Sequence, residues 1–131
     1  MKFGNAAWGF RETPLEQQLK ITSDMGLQVL ELGIANAPDD VQIGDDTKAV
    51  KELYQKYGVE VICAATGNDF TTGSRDDVTK IMAVIDMCHD LGVQYLRIFA
   101  GFTPVSEVVG ATWDNMIYCL KTVADYAKEN D

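Results

Sequence analysis

A short phrase recurs three times in this chain. Gly26-Leu27-Gln28-Val29-Leu30-Glu31-Leu32, Gly58-Val59-Glu60-Val61-Ile62-Cys63-Ala64 and Gly92-Val93-Gln94-Tyr95-Leu96-Arg97-Ile98 each set a glycine, an aliphatic residue and Gln or Glu ahead of an apolar run. The glycines at 26, 58 and 92 are spaced by 32 and 34 residues, the length of one strand–helix unit. Glycine just past a helix takes φ > 0 without a Cβ clash, so each phrase reads as helix end, turn and strand. The intervening segments carry a 3.6-residue apolar period. Its stripes are Leu15, Leu19, Thr22 and Met25; Val50, Leu53, Tyr54 and Tyr57; Val78, Ile81, Ile85 and Cys88; and Ile117, Leu120, Val123, Ala124 and Ala127.

Helix starts are also written in the chain. Thr13-Pro14-Leu15-Glu16 offers a capping Thr, a Pro at the first helical position and a Glu at the third. Asp45 or Asp46 suits the second helix and Thr112 the fourth; Ser74 precedes Asp76 and Asp77, which favour the positive helix N-terminus. The pattern predicts strands over 2–8, 28–34, 59–66 and 93–100. It predicts helices over 14–25, 46–57, 75–91 and 112–129. These are four βα units in one domain, 1–131, with no Pro/Ser-rich linker.

Strands alternating with such helices imply a parallel sheet with right-handed crossovers. Two architectures fit: an open doubly wound sheet, order 2-1-3-4, or an α/β half of a TIM barrel, (βα)4, with order 1-2-3-4 and helices on the outer face. A complete barrel needs about 250 residues, more than the 131 here. Charges inside strands favour the half barrel. Val29, Glu31 and Gly33 share one strand face and Tyr95, Arg97 and Phe99 another; a charge in mid-strand is costly unless paired. Alternate barrel strands supply one interior layer, so Glu31 and Arg97 are expected to meet, with Asn5 joining them by a hydrogen bond.

Charge narrows the partners. The chain carries 11 Lys+Arg against 20 Asp+Glu, a formal net charge of −9, with no basic cluster of the kind that binds nucleic acid or an anionic membrane. No apolar run reaches 18 residues, and no apolar h-region follows Met1-Lys2-Phe3-Gly4-Asn5, so neither a membrane span nor a secretory signal is expected. Cys63, Cys88 and Cys119 are odd in number and widely spaced. They read as buried thiols of a reducing, cytoplasmic compartment.

Three segments carry a family resemblance. Phe3-Gly4-Asn5-Ala6-Ala7-Trp8, Val29-Leu30-Glu31-Leu32-Gly33 and Leu96-Arg97-Ile98-Phe99-Ala100-Gly101 resemble the first, second and fourth strands of the xylose isomerase-like TIM-barrel superfamily, which includes sugar and sugar-phosphate isomerases and epimerases and the endonuclease IV branch. The resemblance spans the chain but only the first four βα units. It implies metal-assisted aldose–ketose isomerisation or epimerisation, with a divalent ion (Mn²⁺, Mg²⁺ or Co²⁺) polarising substrate oxygens and carboxylates moving the proton. In the epimerase branch the metal ligands and acid/base glutamates come from strands five to eight, so no cofactor and no catalytic residue is expected in this chain. The endonuclease branch draws metal-binding histidines from the first half; none stands at a strand end here.

Active sites of such barrels lie at the C-terminal strand ends. The substrate-binding candidates are Trp8 and Phe10 as an apolar wall for a sugar's C–H face, Thr66 and Asn68 as polar contacts, Gly101 for close backbone approach, and Trp113 at the pocket edge. Alternatively Trp8 and Phe10 are rim packing, Asn68 and Gly101 turn residues, and Trp113 a helix staple. Glu31 and Arg97 are taken as a structural ion pair supporting the barrel floor, with a catalytic carboxylate as the alternative for Glu31. Four units leave two sheet edges and an inner face open, which promotes association; a homo-oligomer of two half-barrels is expected, with a small sugar or sugar phosphate as the ligand of the complete enzyme.

Overall fold

A computed structural model of the protein describes residues 1–130. The strands are β1 (Gly4–Asn5), β2 (Val29–Leu30), β3 (Leu32–Gly33), β4 (Cys63–Ala65) and β5 (Tyr95–Arg97), and the helices are α1 (Leu15–Asp24), α2 (Thr47–Tyr57), α3 (Asp76–Leu91) and α4 (Ala111–Glu129), with 3₁₀ turns at Ala7–Phe10 and Val105–Glu107. All strand pairs are parallel: β1 with β2, β3 with β4, and β4 with β5. β2 and β3 are one predicted strand interrupted at Glu31, and a Val29–Glu60 bridge ties its first part to the third βα unit. The spatial order is thus 1-2-3-4, which is the half barrel and not the open 2-1-3-4 sheet.

The three recurring glycines close their helices in one way. Gly26, Gly58 and Gly92 have φ of 71°, 64° and 73°. Each following residue donates back five positions, Leu27 to Thr22, Val59 to Tyr54 and Val93 to Cys88, while the glycines themselves donate to Ser23, Gln55 and His89. These paired bonds form the Schellman motif, which satisfies the last helical carbonyls and turns the chain into the next strand. At the helix starts, the Asp46 carboxylate accepts from Lys48 N and Ala49 N, and Ser74 Oγ accepts from Asp76 N at 3.0 Å. Thr13 and Thr112 do not cap. Pro14 occupies the cap position of α1 and lacks a side-chain acceptor, while α4 begins one residue before Thr112, after Gly110.

The helices cover one face of the sheet. Leu30, Leu32, Ile34 and Ala64 are buried against Leu19, Val50, Tyr54, Val84 and Cys88. Burying each such aliphatic side chain contributes about 1.5–3 kcal/mol. Tyr54 bridges the two layers through its hydroxyl, which donates to Leu30 O at 3.1 Å. A second cluster of Phe70, Val78, Ile81, Met116, Cys119 and Val123 joins α3 to α4. Two stripes differ from expectation. Met25 is exposed, because α1 ends before it. On α4 the buried stripe is Met116, Cys119 and Val123; Ile117 and Leu120 only flank it, and Ala124 is exposed.

The opposite, inner face carries Glu31, Cys63, Tyr95 and Arg97, and it is open: Tyr95, the first residue of β5, is 65% exposed. Strands are shorter than their apolar runs. The first ends at Asn5, because the Ala7 N–H turns to the Glu31 carboxylate at 3.2 Å and the chain coils into the 3₁₀ turn that holds Trp8.

Candidate functional site

The C-terminal ends of β1, β3, β4 and β5 surround one open hollow of about 850 Å³. Ala6 and Trp8 follow β1, Asn36 follows β3, Gly67 and Asn68 follow β4, and Phe99 and Phe102 follow β5; Glu31 and Arg97 form its base, and Asp77 of α3 reaches its edge.

Glu31 and Arg97 meet as expected, with Arg97 Nε donating to Glu31 Oε1 at 3.1 Å. The Glu31 side chain is 15% exposed and that of Arg97 40%. The second carboxylate oxygen accepts from Ala7 N, and the Cys63 thiol lies 4.0 Å from Oε1. The pair lines the hollow; it is not sealed beneath it. Asn5 does not join it. Its side chain turns to the helix layer, where Nδ2 donates to Thr22 Oγ1 at 3.1 Å; only its backbone oxygen accepts from Glu31 N. The Arg97 guanidinium also lies 5.2 Å from the Phe99 ring centroid, and Phe99 packs against Phe102 at 5.1 Å. An ion pair and two aromatic rings thus run continuously from base to lip. Burial foremost, with the Glu31 charge adding, pushes the Cys63 thiol up, and Arg97 opposes.

The rim is fixed by backbone-directed side chains. Asn68 is buried, and its amide forms two bonds to one residue: Nδ2 donates to Phe99 O at 2.6 Å and Oδ1 accepts from Phe99 N at 2.8 Å. This extends the β4–β5 ladder by one rung and sets the Phe99 ring. Asp69 accepts from the Thr71 amide and hydroxyl and from Phe102 N. Its burial would raise its pKa, but these donors prevail and hold the carboxyl below its ordinary value. Asp77 in turn accepts from Asp69 N at 2.6 Å.

On the other side Ala35 adopts φ 49°, a left-handed conformation that costs a non-glycine residue about 1–2 kcal/mol, and the next residue, Asn36, is delivered to the hollow. Asp40 holds this turn by accepting from Asn36 N and Ala37 N. It fits only because residue 33 is glycine; a Cβ there would meet Asp40 Oδ1 at 2.3 Å.

Of the six substrate-binding candidates, Trp8 and Asn68 line the hollow. Phe10 packs on the helix-side core. Thr66 is buried, 1% exposed, with its hydroxyl unpartnered. Gly101 backs onto Asp69 and Thr71, and half-exposed Trp113 stands at the start of α4, outside the lining. Asp77 is a wall residue that the sequence does not mark, because its place in the first turn of α3 already accounts for its charge. The Asn68–Phe99 rung needed the register of two strands, which no local pattern encodes.

The residues present do not fit a divalent ion. Among the described residues no group of three or more His, Cys, Asp or Glu side chains is placed to hold a metal ion, and the two carboxylates of the hollow already hold Arg97 with Ala7 N, and Asp69 N, respectively.

Comparisons with known proteins agree with this geometry. Residues 19–131 match the sequence profile of the family described as xylose isomerase-like TIM barrel. A comparison with curated protein sequences gave no match. Among solved structures, a xylose isomerase domain protein from Planctomyces limnophilus superposes with a TM-score of 0.68 at 11% identity, covering 97% of this chain and 49% of that one. An L-ribulose 3-epimerase superposes with a TM-score of 0.65 at 20% identity, covering 98% and 46%. An uncharacterized protein from Parabacteroides distasonis gives 0.64 at 13%, covering 99% and 50%. At these identities the likeness is one of fold, and the chain spans about half the length of the structures it matches.

Proposed function

This chain belongs to the xylose isomerase-like TIM-barrel family, and from that premise we propose that it is the N-terminal half of a metal-dependent sugar isomerase or epimerase, supplying scaffold and one wall of the substrate pocket and inactive alone. The observation that carries this reading is the hollow at the four strand ends. It has the composition of a sugar wall: Trp8, Phe99 and Phe102 present apolar surface to C–H faces, while Asn36 and the Glu31–Arg97 pair offer donors and acceptors to hydroxyls. Sugar isomerisation moves a proton at a carbon next to a carbonyl, and a metal-held pair of oxygens stabilises the charge that develops. The ion and the proton-moving carboxylates belong, in this reading, to the second half of the barrel. What this half does is bind, orient and exclude water on one side.

The test is an isomerase and epimerase assay on ketopentoses, ketohexoses and their phosphates with Mn²⁺, Mg²⁺ and Co²⁺, paired with Trp8 fluorescence titration by the same sugars. Expected are no turnover and a weak, saturable change in tryptophan emission that persists in Trp113→Phe and is lost in Trp8→Phe, these being the two tryptophans of the chain. Turnover by the chain alone, or no sugar response in any condition, refutes the reading.

A further inference from the structure

We propose that Asn68 is a positioning residue of the hollow: it acts on a ligand through Phe99, whose ring its buried amide holds beside Arg97. The proposal rests on reading the hollow as a sugar wall, and it names the residue that fixes one aromatic surface of that wall.

Two strands stop short of the hollow. β4 ends at Ala65 and β5 at Arg97. Beyond Thr66 N, which donates to Arg97 O at 3.2 Å, no backbone rung joins the two segments among the described residues. Phe99 lies two residues past Arg97, and both of its backbone polar groups are taken by one side chain. Asn68 Nδ2 donates to Phe99 O at 2.6 Å and Asn68 Oδ1 accepts from Phe99 N at 2.8 Å. A side-chain amide has the donor and the acceptor of a peptide group, so Asn68 stands in for the strand that has turned away. With both backbone groups held, the Cα–Cβ direction of Phe99 is set. Its ring stands 5.2 Å from the Arg97 guanidinium and 5.1 Å from the Phe102 ring.

Asn68 is itself held in place. It is 4% exposed, and its neighbours on both sides are tied to α3. Gly67 O accepts from Lys80 Nζ at 2.6 Å, and Asp69 N donates to Asp77 Oδ2 at 2.6 Å. Residue 67 has no room for a Cβ, which would meet Asn36 Oδ1 at 2.3 Å. Donor and acceptor of the Asn68 amide are both committed to Phe99, and little of the side chain is left for a ligand to touch. Such a residue works by preorganisation: the ring is in place before a ligand arrives, so binding does not have to order it.

Two NMR observables of the unliganded chain and one titration test this. In the wild type the Asn68 Nδ2 protons should exchange slowly with solvent and show cross-relaxation to Phe99. An amide that rotates freely, or exchanges like an exposed asparagine, overturns the proposal even where Asn68→Ala does not fold. In Asn68→Ala the Arg97 Nε–H resonance, shifted by the Phe99 ring, should move at least half as far as it does in Phe99→Leu; an unmoved resonance is equally fatal. With D-fructose as the probe and tryptophan emission as the readout, Asn68→Ala should raise the half-saturation concentration about three- to tenfold, and should raise it no further in a Phe99→Leu background. An unchanged value makes Asn68 plain scaffold, and an equal further loss beside Phe99→Leu makes it a direct sugar contact; either result refutes the assignment. If no sugar moves the wild-type emission, the sugar wall falls, while the amide exchange and the Arg97 resonance still decide whether Asn68 positions Phe99.

Discussion

The Glu31–Arg97 pair makes a quantitative prediction. The perturbation is a double-mutant cycle of Glu31→Gln, Arg97→Met and both. At 3.1 Å and an effective dielectric near 20, two unit charges attract by about 5 kcal/mol. Desolvation of the largely buried carboxylate offsets most of that, and water at the 40%-exposed arginine screens more. The net coupling should be about 1 kcal/mol, above exposed pairs and below sealed ones. The single variants should be unequal. Glu31→Gln keeps an acceptor for Ala7 N and costs about 1 kcal/mol, whereas Arg97→Met strands a carboxylate and costs about 2 kcal/mol. Urea unfolding followed by far-UV circular dichroism, at one fixed protein concentration, reads all four corners. A coupling within the ~0.3–0.5 kcal/mol scatter of independent sites would refute the claim that this contact organises the inner face.

Other consequences can be checked on the same preparation. Gly58→Ala puts a Cβ at φ 64° and should cost about 1 kcal/mol after the unfolded-state gain is set against the strain, while Gly9→Ala, with nothing within 4 Å of the new atom, should unfold at the wild-type urea midpoint. Tyr54→Phe orphans the Leu30 carbonyl and should cost about 1–2 kcal/mol in the same assay. Thiol alkylation in the native state should reach half-buried Cys63 first; burial chiefly pushes Cys88 up to about 12, so it should react only on unfolding, and Glu31→Gln, which removes a charge that raises the Cys63 pKa, should speed Cys63. Because hydrogen bonds hold the Asp69 carboxyl below its ordinary value, the ordering of the 101–103 loop should persist above that ordinary value and be lost only as pH falls through the lowered one; amide NMR of Phe102 reads it, and loss at higher pH would contradict the assigned bonds.

Much of the fold is legible because its signals are local. A Schellman turn needs one glycine and the residues beside it, so Gly26, Gly58 and Gly92 mark three helix-to-strand passages outright. Glu31 and Arg97 are legible for another reason: a charge in mid-strand demands a partner, and alternate strands are where a barrel provides one. Strand ends are less so, since an apolar run does not say where pairing stops. The run through Trp8 leaves the sheet because Ala7 N finds a carboxylate 24 residues away. On α4 two apolar stripes lie side by side, and periodicity alone does not say which one meets α3. The rim depends on register, so Asn68 was nameable as a polar group at a strand end but not as the rung that sets Phe99.

The interruption of the second strand at Glu31 splits the sheet's named ladders into a pair and a triplet. Trp8 rides on the short β1–β2 ladder, two residues deep. Asn68, Phe99 and Phe102 ride on three mutually braced strands and a latched loop. Whatever settles between them meets a wall two residues deep on one side and a three-strand wall on the other. Glu31 sits at the interruption and joins both, through Ala7 N and Arg97, so a single carboxylate ties together the two walls that would enclose a guest.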